Sequence, residues 1–193
     1  MRASQGYWVW GWDSMIHTEA LLLAGCSDLV KRILEFYRNS ASPEFGIAHK
    51  FSPEMKVEMS MAFGAQCLYI IALYNYWAAT GDNGLVAESM PFASWILAKC
   101  QESVDKKTGL VRGIALFPDF PEYLDADGND ISLFNNSIYY QGLRASQCLH
   151  EALGNAARAL ELAEQAGRAR KSMEELLFDK QTGYWIDSVS SLD

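Results

Sequence analysis

Two carboxylates in one loop are candidates for acid–base chemistry. Asp119 and Glu122 lie in the segment Phe-Pro-Asp-Phe-Pro-Glu-Tyr-Leu, between prolines and aromatic residues. Proline stiffens the backbone, and aromatic neighbours exclude water and raise the pKa of a carboxyl group. A carboxyl group with a raised pKa can act as a general acid near neutral pH. The loop therefore predicts a general acid at one of these two positions.

Three tryptophans near the start of the chain offer flat apolar surface. Trp8, Trp10 and Trp12 alternate in Gly-Tyr-Trp-Val-Trp-Gly-Trp-Asp-Ser, a spacing that predicts an extended segment with the three indoles on one side. Such a platform suits the face of a sugar. Asp13 follows, and we expect its carboxylate to bind sugar hydroxyls, to cap a helix that starts at residue 13 or 14, or to do both.

A second pair of polar residues, Asn135 and Asn136, lies at the start of a predicted helix. Their amides are candidates for hydrogen bonds to sugar hydroxyls. Capping of the helix is the alternative, because asparagine is a preferred residue at helix amino ends. Both interpretations stay open at this point.

A helix–turn–helix unit that occurs three times must position these side chains. Each unit has an opening glycine in the turn and a closing glycine after the second helix. The opening glycines are Gly25, Gly81 and Gly154, and the closing glycines are Gly46, Gly109 and Gly183. The last two units close with the same motif, Asp-Lys-x-Thr-Gly. Units of this kind bury their apolar faces by stacking on one another.

The apolar periodicity predicts an inner and an outer helix in each unit. The predicted inner helices are 14–24, 60–80 and 134–153, and the predicted outer helices are 27–39, 83–104 and 155–178. The inner helices are apolar nearly all round and need cover on both sides, whereas the outer ones keep a polar face. We therefore expect an all-α fold of antiparallel helical hairpins. The long loops before the inner helices should gather at one end, where function is expected.

Composition excludes several classes of function. The 193 residues include 16 lysines and arginines against 24 aspartates and glutamates, a net charge of −8. We expect no nucleic-acid partner, because phosphate binding requires a basic surface. We expect no membrane partner, because the longest apolar stretch, 67–79, is shorter than the roughly 20 residues of a bilayer span. The start of the chain lacks the apolar segment of a signal peptide, which favours a cytoplasmic protein.

No metal or cofactor is predicted. Asp125, Asp127, Asn129 and Asp130 carry oxygen ligands that Ca²⁺ prefers, but the glycine and the bidentate glutamate of an EF-hand loop are not at the required positions. The sequence also lacks glycine-rich phosphate loops and the HExxH zinc motif.

The motifs together resemble those of the six-hairpin glycosidases, whose fold is the (α/α)6 toroid. The likeness rests on W-G-W-D-S before the first inner helix, the T-G-D turn and the D-x-x-T-G-Y-W closure, and it extends over essentially all 193 residues. The chain is most similar to the processing α-glucosidase and glycogen-debranching-like group. The resemblance implies an inverting hydrolase of α-glucosides or related sugars that needs no cofactor.

The resemblance also assigns roles to residues. The loop before the third inner helix supplies the general acid, which implies Asp119 with Glu122 as the second candidate. The first Trp-Asp pair binds the sugar at the cleavage subsite, which implicates Trp12 and Asp13. The general base of such enzymes lies in the second half of the toroid, and no segment here matches it. We therefore expect 1–193 to be a single partial toroid domain of three hairpins.

Three other functions remain open. A glycoside phosphorylase would bind its phosphate in the second half of the toroid. A non-catalytic carbohydrate-binding or interaction half-toroid would use the same tryptophans without an acid. A sugar epimerase would rely on histidine bases, for which His17 and His49 are the candidates near the loops. A partial ring also exposes apolar flanks, which predicts either a homo-oligomer or cover by a second half of the toroid.

Overall fold

The computed structural model describes residues 9–44, 46–52, 54, 63–113 and 130–189, which form three helical hairpins. The helices are α1 (Gly11–Leu23), α2 (Ser27–Asn39), α3 (Phe63–Thr80), α4 (Asn83–Gln101), α5 (Leu133–Ala152) and α6 (Ala156–Leu176). The strands, of two residues each, are β1 (Val9–Trp10), β2 (Lys50–Phe51), β3 (Ile131–Ser132), β4 (Phe178–Asp179), β5 (Tyr184–Trp185) and β6 (Ser188–Val189). The predicted fold class is confirmed.

The helix bounds follow the sequence prediction to within about three residues, and the start of α1 is the most informative difference. Helix α2 has the predicted bounds, and the first residues predicted for α3 lie outside the described residues. Helix α1 begins at Gly11, not at residue 13 or 14. The reason is tertiary, since the Gly11 N–H donates a hydrogen bond to the His49 carbonyl at 2.8 Å. A Cβ at position 11 would lie 2.5 Å from the Ala48 carbonyl oxygen, so only glycine fits there.

Glycine turns reverse the chain inside each hairpin. Gly25, Gly81 and Gly154 have φ values of 77°, 69° and 76°, in the left-handed region that other residues rarely adopt. Each glycine follows directly or closely on an inner helix, as a C-terminal helix stop does. The predicted turns at these three positions are confirmed, and they hold the two helices of each hairpin antiparallel.

The inner helices form one layer and the outer helices another. Helix α3 packs on α1 on one side and α5 on the other, with α2 and α4 behind it. Residues all round α3 are fully buried, among them Phe63, Cys67, Ile70 and Leu73. This matches the expectation that an apolar inner helix is covered on both sides. Gly142 lets α5 approach α3 closely, because a Cβ there would lie 3.3 Å from the Cβ of Cys67.

Helices α2 and α4 run parallel, and the residues that pair between them have a constant separation in sequence. Lys31 of α2 pairs with Asp82 at 3.1 Å, and Arg38, two turns later, donates to Ser89 at 2.9 Å. Both pairs are 51 residues apart in sequence. The constant separation shows that the second hairpin repeats the first without a change of direction.

The amino ends of the inner helices lie together at one end of the molecule. Strands β1 and β2 pair there with Trp10 opposite Lys50, and β3 and β6 pair with Ser132 opposite Ser188. We call this region, made of β1, β2, β3, β6 and the first turns of α1, α3 and α5, the loop end. The described strands and first turns that flank the long loops lie at this end, and much of the loops themselves lies outside the described residues.

Candidate functional site

Trp10 is the last extended residue before α1, and both its backbone carbonyl and its ring make contacts with other parts of the fold. Its backbone carbonyl accepts a hydrogen bond from Ser14 Oγ at 2.7 Å, and Tyr37 donates to that Ser14 oxygen at 2.8 Å. Burial raises the pKa of Tyr37, so its hydroxyl stays a proton donor. The network fixes the point at which the tryptophan segment enters the first hairpin.

The ring of Trp10 contacts two basic side chains. The His49 ring meets it edge-on, with centroids 5.0 Å apart and planes at 89°. The Lys50 ammonium lies 4.9 Å from the ring centroid, in a cation–π contact that covers one face. His49 is buried, and its carbonyl also accepts the hydrogen bond from Gly11. Trp10 therefore offers a sugar at most one open face.

Trp12 and Asp13 lie in the first turn of α1. The prediction of one extended segment through Trp12 is wrong, because the helix starts at Gly11. Successive helical residues rotate by about 100°, so the indoles of Trp10 and Trp12 do not follow strand alternation. Trp12 packs half-buried against the core.

The capping role predicted for Asp13 is wrong, since Trp10 occupies the N-cap position. Asp13 is the third helical residue, and its half-buried carboxylate lies beside the positive end of the helix dipole. Acidic side chains at this position stabilise a helix. The part of the site prediction that gives Asp13 a sugar-binding role stays a prediction.

Asn136 has a structural role that the sequence analysis missed. Its amide oxygen accepts from the Val111 N–H at 2.7 Å, and its amide nitrogen donates to the Val111 carbonyl at 3.0 Å and to the Ser132 carbonyl at 2.9 Å. Both amide donors are used inside the protein, and the side chain is fully buried. The predicted contact of Asn136 with sugar is therefore replaced by this clamp.

Ser132, not Asn135 or Asn136, caps α5, because its hydroxyl accepts from the Asn135 N–H at 3.1 Å. Asn135 is buried beside this cap, in the third position of the helix. Its predicted role as a sugar ligand stays a prediction.

Gln66 makes the same clamp one hairpin earlier. Its amide oxygen accepts from the Ile47 N–H at 2.9 Å, and its nitrogen donates to the Ile47 carbonyl at 2.8 Å. Gln66 lies in the first described turn of α3, and Asn136 is the fourth residue of α5. The signal available in the sequence for Gln66 was a lone amide among the apolar residues of its turn, whereas Asn136 follows a second asparagine, Asn135.

The closing motifs are tight turns built on an acceptor side chain. The Asp105 carboxylate accepts from the N–H groups of Thr108 and Lys107 and from the Thr108 hydroxyl. These bonds, led by that from the Thr108 backbone, hold the pKa of Asp105 below its usual range. The Asp179 turn repeats the pattern with the Thr182 hydroxyl and the Gln181 N–H, and the pKa of Asp179 is lowered as well.

The remaining predicted site residues, Trp8, Asp119 and Glu122, lie outside the described residues. The two ends of the segment that carries both carboxylates are described. The Gly113 N–H donates to the Asp130 carbonyl at 2.9 Å, and Ile131 follows in β3. The two described residues that flank the segment are therefore adjacent, beside the amino end of α5.

The histidines fall at different ends. His49 lies at the loop end, and His17 is exposed on α1. His150 lies in the last turn of α5 beside Asn155, at the end with the glycine turns, and burial lowers its pKa. Within the described segments, no group of histidine, cysteine, aspartate or glutamate side chains is arranged to hold a metal ion. In that same part of the chain, every helix is too short or too polar to cross a bilayer.

The three hairpins have the fold of part of an (α/α)6 helical toroid. A GH78-family rhamnosidase of Bacillus sp. GL1 is similar with a TM-score of 0.76 over 95% of this chain, at 24% identity. A rhamnosidase from Klebsiella oxytoca, solved with rhamnose bound, has a TM-score of 0.74 over 93% of the chain, at 17% identity. A sugar epimerase from a ruminal bacterium has a TM-score of 0.70 over 96%, at 11% identity.

Similarity at these identities establishes the fold alone. The chain spans 19%, 35% and 49% of the lengths of those three proteins. No protein-family model matches the sequence, and no curated protein matches it.

Proposed function

We propose that this chain forms one side of the cleft of a glycoside hydrolase, with the loop end as the sugar-handling surface. The observation that carries the proposal is the placement of the candidate segments. The first turn of α1 with Trp12 and Asp13 lies at the loop end, and the segment with Asp119 and Glu122 departs from that same end at Gly113 and Asp130. The fold, shared with rhamnosidases, supports the reaction class by analogy.

The proposed mechanism is inverting acid–base hydrolysis. Asp119 protonates the leaving oxygen of an α-linked glycoside, and Glu122 is the second candidate for this role. The general base, contributed by polypeptide outside the three hairpins, activates a water on the opposite face of the sugar, about 6.5–9.5 Å from the acid. Asp13 orients hydroxyls, and the indole of Trp12 offers apolar contact surface. In this proposal residues 1–193 are a single partial toroid domain.

The substrate proposal has two candidates. The resemblance at the sequence level favours an α-glucoside. The similarity to two rhamnosidases favours a rhamnoside, which we therefore place first for testing. Rhamnose lacks the 6-hydroxyl of glucose and is the more apolar sugar. A cleft that prefers it needs fewer polar partners at that position.

Turnover of nitrophenyl glycosides by the polypeptide at its full natural length tests the catalytic assignment. Asp119→Asn removes the proton donor with almost no change in volume, so we expect kcat to fall by about 10³-fold while sugar affinity is kept. Glu122→Gln is the matched control and should change kcat by less than about tenfold. Unchanged turnover in Asp119→Asn with a large loss in Glu122→Gln would transfer the role to Glu122. No loss in either variant would reject the mechanism.

Sugar binding by this chain separates the hydrolase from its rivals. We expect Asp13→Asn and Trp12→Ala to weaken rhamnose or glucose binding, measured by calorimetry. Trp77→Ala at the opposite end of α3 should leave it unchanged. Binding that depends on Trp12 with no turnover in the full-length polypeptide would favour the non-catalytic alternative.

His49, buried against Trp10 at the loop end, is the observation that favours an epimerase as second candidate. Detection by NMR of an epimerised free sugar, in place of a hydrolysed glycoside, would select that activity.

A further inference from the structure

The closing turns of the second and third units have the same backbone hydrogen-bond pattern, 74 residues apart. Val104 lies opposite Val111, and the Arg112 N–H donates to the Ser103 carbonyl. In the third unit Phe178 lies opposite Trp185, and the Ile186 N–H donates to the Leu177 carbonyl. Trp185 is therefore the structural counterpart of Val111.

This register fixes the direction of the Trp185 backbone. The bond from the Ile186 N–H to the Leu177 carbonyl makes these two residues a hydrogen-bonded pair of the antiparallel ladder. Hydrogen-bonded and non-hydrogen-bonded pairs alternate in such a ladder, so the next pair, Phe178 and Trp185, is non-hydrogen-bonded. The Trp185 N–H and carbonyl consequently point away from β4. The same two groups of Val111 point away from Val104 and are taken by the Asn136 amide.

Trp185 differs sharply in exposure from the two clamped residues, Ile47 and Val111. Ile47 and Val111, each clamped by the next inner helix, are both 0% exposed. Trp185 is 47% exposed, and its neighbour Tyr184 is 75% exposed although its counterpart Leu110 is 0% exposed. The first two closures are covered by the following hairpin. The described residues provide no following hairpin for the third.

A groove leads from Trp185 along the free flank of the third hairpin. It has a volume of about 450 Å³ and lies between α5 and α6. Its lining is mixed: Leu133, Tyr140, Met173 and Trp185 are joined by the polar side chains Ser137, Gln141, Arg170 and Glu174. Ile186 and Phe134, at 41% and 47% exposure, extend the apolar surface.

We propose that the β4–β5 closure and this groove are the docking surface for a further helical hairpin whose inner helix carries Asn or Gln near its amino end, as α3 and α5 do. The chemistry of the clamp sets this requirement, because one side chain must accept from the Trp185 N–H and donate to its carbonyl. Only a primary amide presents an acceptor and a donor in that geometry. The occupant is a hairpin of the kind that covers Ile47 and Val111, and the similar structures, of which this chain spans 19–49%, have length for further hairpins. The inference does not depend on the proposed function.

A second copy of this chain fits the surface less well. Its free inner helix is α1, whose fourth residue is Ser14. A serine hydroxyl has a single proton, and that of Ser14 is donated to the Trp10 carbonyl. The helix that an identical chain could offer therefore lacks the amide.

A tandem duplication tests the docking surface. In this variant residues 112–193 are appended after Trp185, so that a second copy of α5 and α6 follows the third closure in the same register. We expect the amide of the first Trp185 to exchange with solvent about 100-fold more slowly than in the unmodified chain. The junction peptide Gly-Tyr-Trp-Arg is unique, so mass spectrometry isolates the signal. The matched control carries Asn136→Leu in the appended copy alone and should lose the protection, and Asn136→Gln should restore part of it.

Exchange in the unmodified chain provides a second test that needs no new fold. The amides of Ile47 and Val111 should exchange at least about 100-fold more slowly than that of Trp185, independently of protein concentration. Equal protection of Trp185 and Val111 would overturn the proposal. Protection of Trp185 that rises with concentration would assign the surface to a second copy and overturn the proposed occupant. In the duplicated variant, equal protection with Asn136 and with leucine would show that the surface does not recognise an amide.

Discussion

Gln66 is a buried polar side chain near the start of an almost wholly apolar helix, and both its amide oxygen and its amide nitrogen make hydrogen bonds. Its amide satisfies both backbone groups of Ile47, which is itself fully buried. A buried backbone group without a partner costs about 1–3 kcal/mol. The clamp therefore joins the end of the first hairpin to the start of the second, and Asn136 does the same one unit later.

Replacing Gln66 by leucine should destabilise the fold by about 3 kcal/mol, because it leaves the N–H and carbonyl of Ile47 unsatisfied at nearly unchanged volume. Urea unfolding followed by circular dichroism measures the loss. Gln147 of α5, whose amide pairs only with the surface residues Arg144 and Glu151, is the matched control. Gln147→Leu should change stability by less than about 0.5 kcal/mol. A loss below about 1 kcal/mol in Gln66→Leu would show that the clamp is not needed.

Asp105 gives the closing turn a pH dependence. Its folded-state pKa lies below the unfolded value of about 3.9, so the stabilisation is complete above that pH and is lost as pH falls through the folded pKa. Asp105→Ala should cost about 1 kcal/mol at pH 7, and the difference from the parent should shrink toward pH 2. Lys106→Ala, in the same turn, is the control. A difference that stays constant between pH 7 and pH 2 would contradict a role for the charged form.

The site residues that the sequence could predict are those whose role is local. The alternation of tryptophans predicts a strand, but the strand stops at Trp10 because Gly11 is bonded to His49 across the fold. Asparagine is a residue type that is common both at helix caps and as a sugar ligand. Only the hydrogen bonds of Asn136 to Val111 show that it is a clamp. Local patterns do not encode such long-range partners, so these two assignments failed for the same reason.

At the scale of the helices, prediction from sequence works best where turn glycines and cap residues set the helix ends. Helix α2 lies between Cys26 and Ser40 and was predicted to the residue. The turn at Gly81 defines the end of α3 and, through the Asp82 cap, the start of α4. Helix α4 ends three residues before its predicted end because Val104 pairs with Val111. This pairing depends on a residue beyond the helix and leaves no signal in its periodicity.

Two glycines with no atoms near their Cα hydrogens allow the effect of helix propensity on stability to be measured apart from that of a left-handed turn. Gly167 lies within α6 and Gly154 in the turn before it, with φ of 76°, and a Cβ at either position meets no atom within 4 Å. Gly167→Ala should stabilise the protein by about 1 kcal/mol, because alanine is the better helix former. Gly154→Ala should destabilise it by about 1 kcal/mol, because alanine is strained in the left-handed region. Thermal unfolding of the two variants measures both, and shifts of equal sign would contradict the assigned conformations.

At the scale of the whole molecule, three stacked units behave as a short linear array. The main helix contacts between hairpins in the described segments join neighbouring units, so the middle hairpin is covered on two sides and each outer hairpin on one. In such arrays, stability is the sum of unit terms and interface terms. The three repeated glycine pairs predict this architecture from the sequence. The unequal cover of the units, seen in the contrast of Val111 with Trp185, follows only from the stacking.

Hydrogen exchange should therefore report a gradient across the stack. The amides of Ile70 and Leu73 in α3 are covered by α1, α5 and the outer helices, and we expect them to exchange only through global unfolding. Helix α6 packs mainly on α5 and bonds to the second hairpin through Gln165 and Ser172. Its amides should open about tenfold or more frequently, since opening the third hairpin breaks one interface between units and opening the second breaks two. Gln66→Leu should loosen the first hairpin selectively and raise the exchange rates of α1 and α2 more than those of α6. Equal opening free energies for all six helices would instead make the molecule a single cooperative unit, in which the clamps do not partition stability between hairpins.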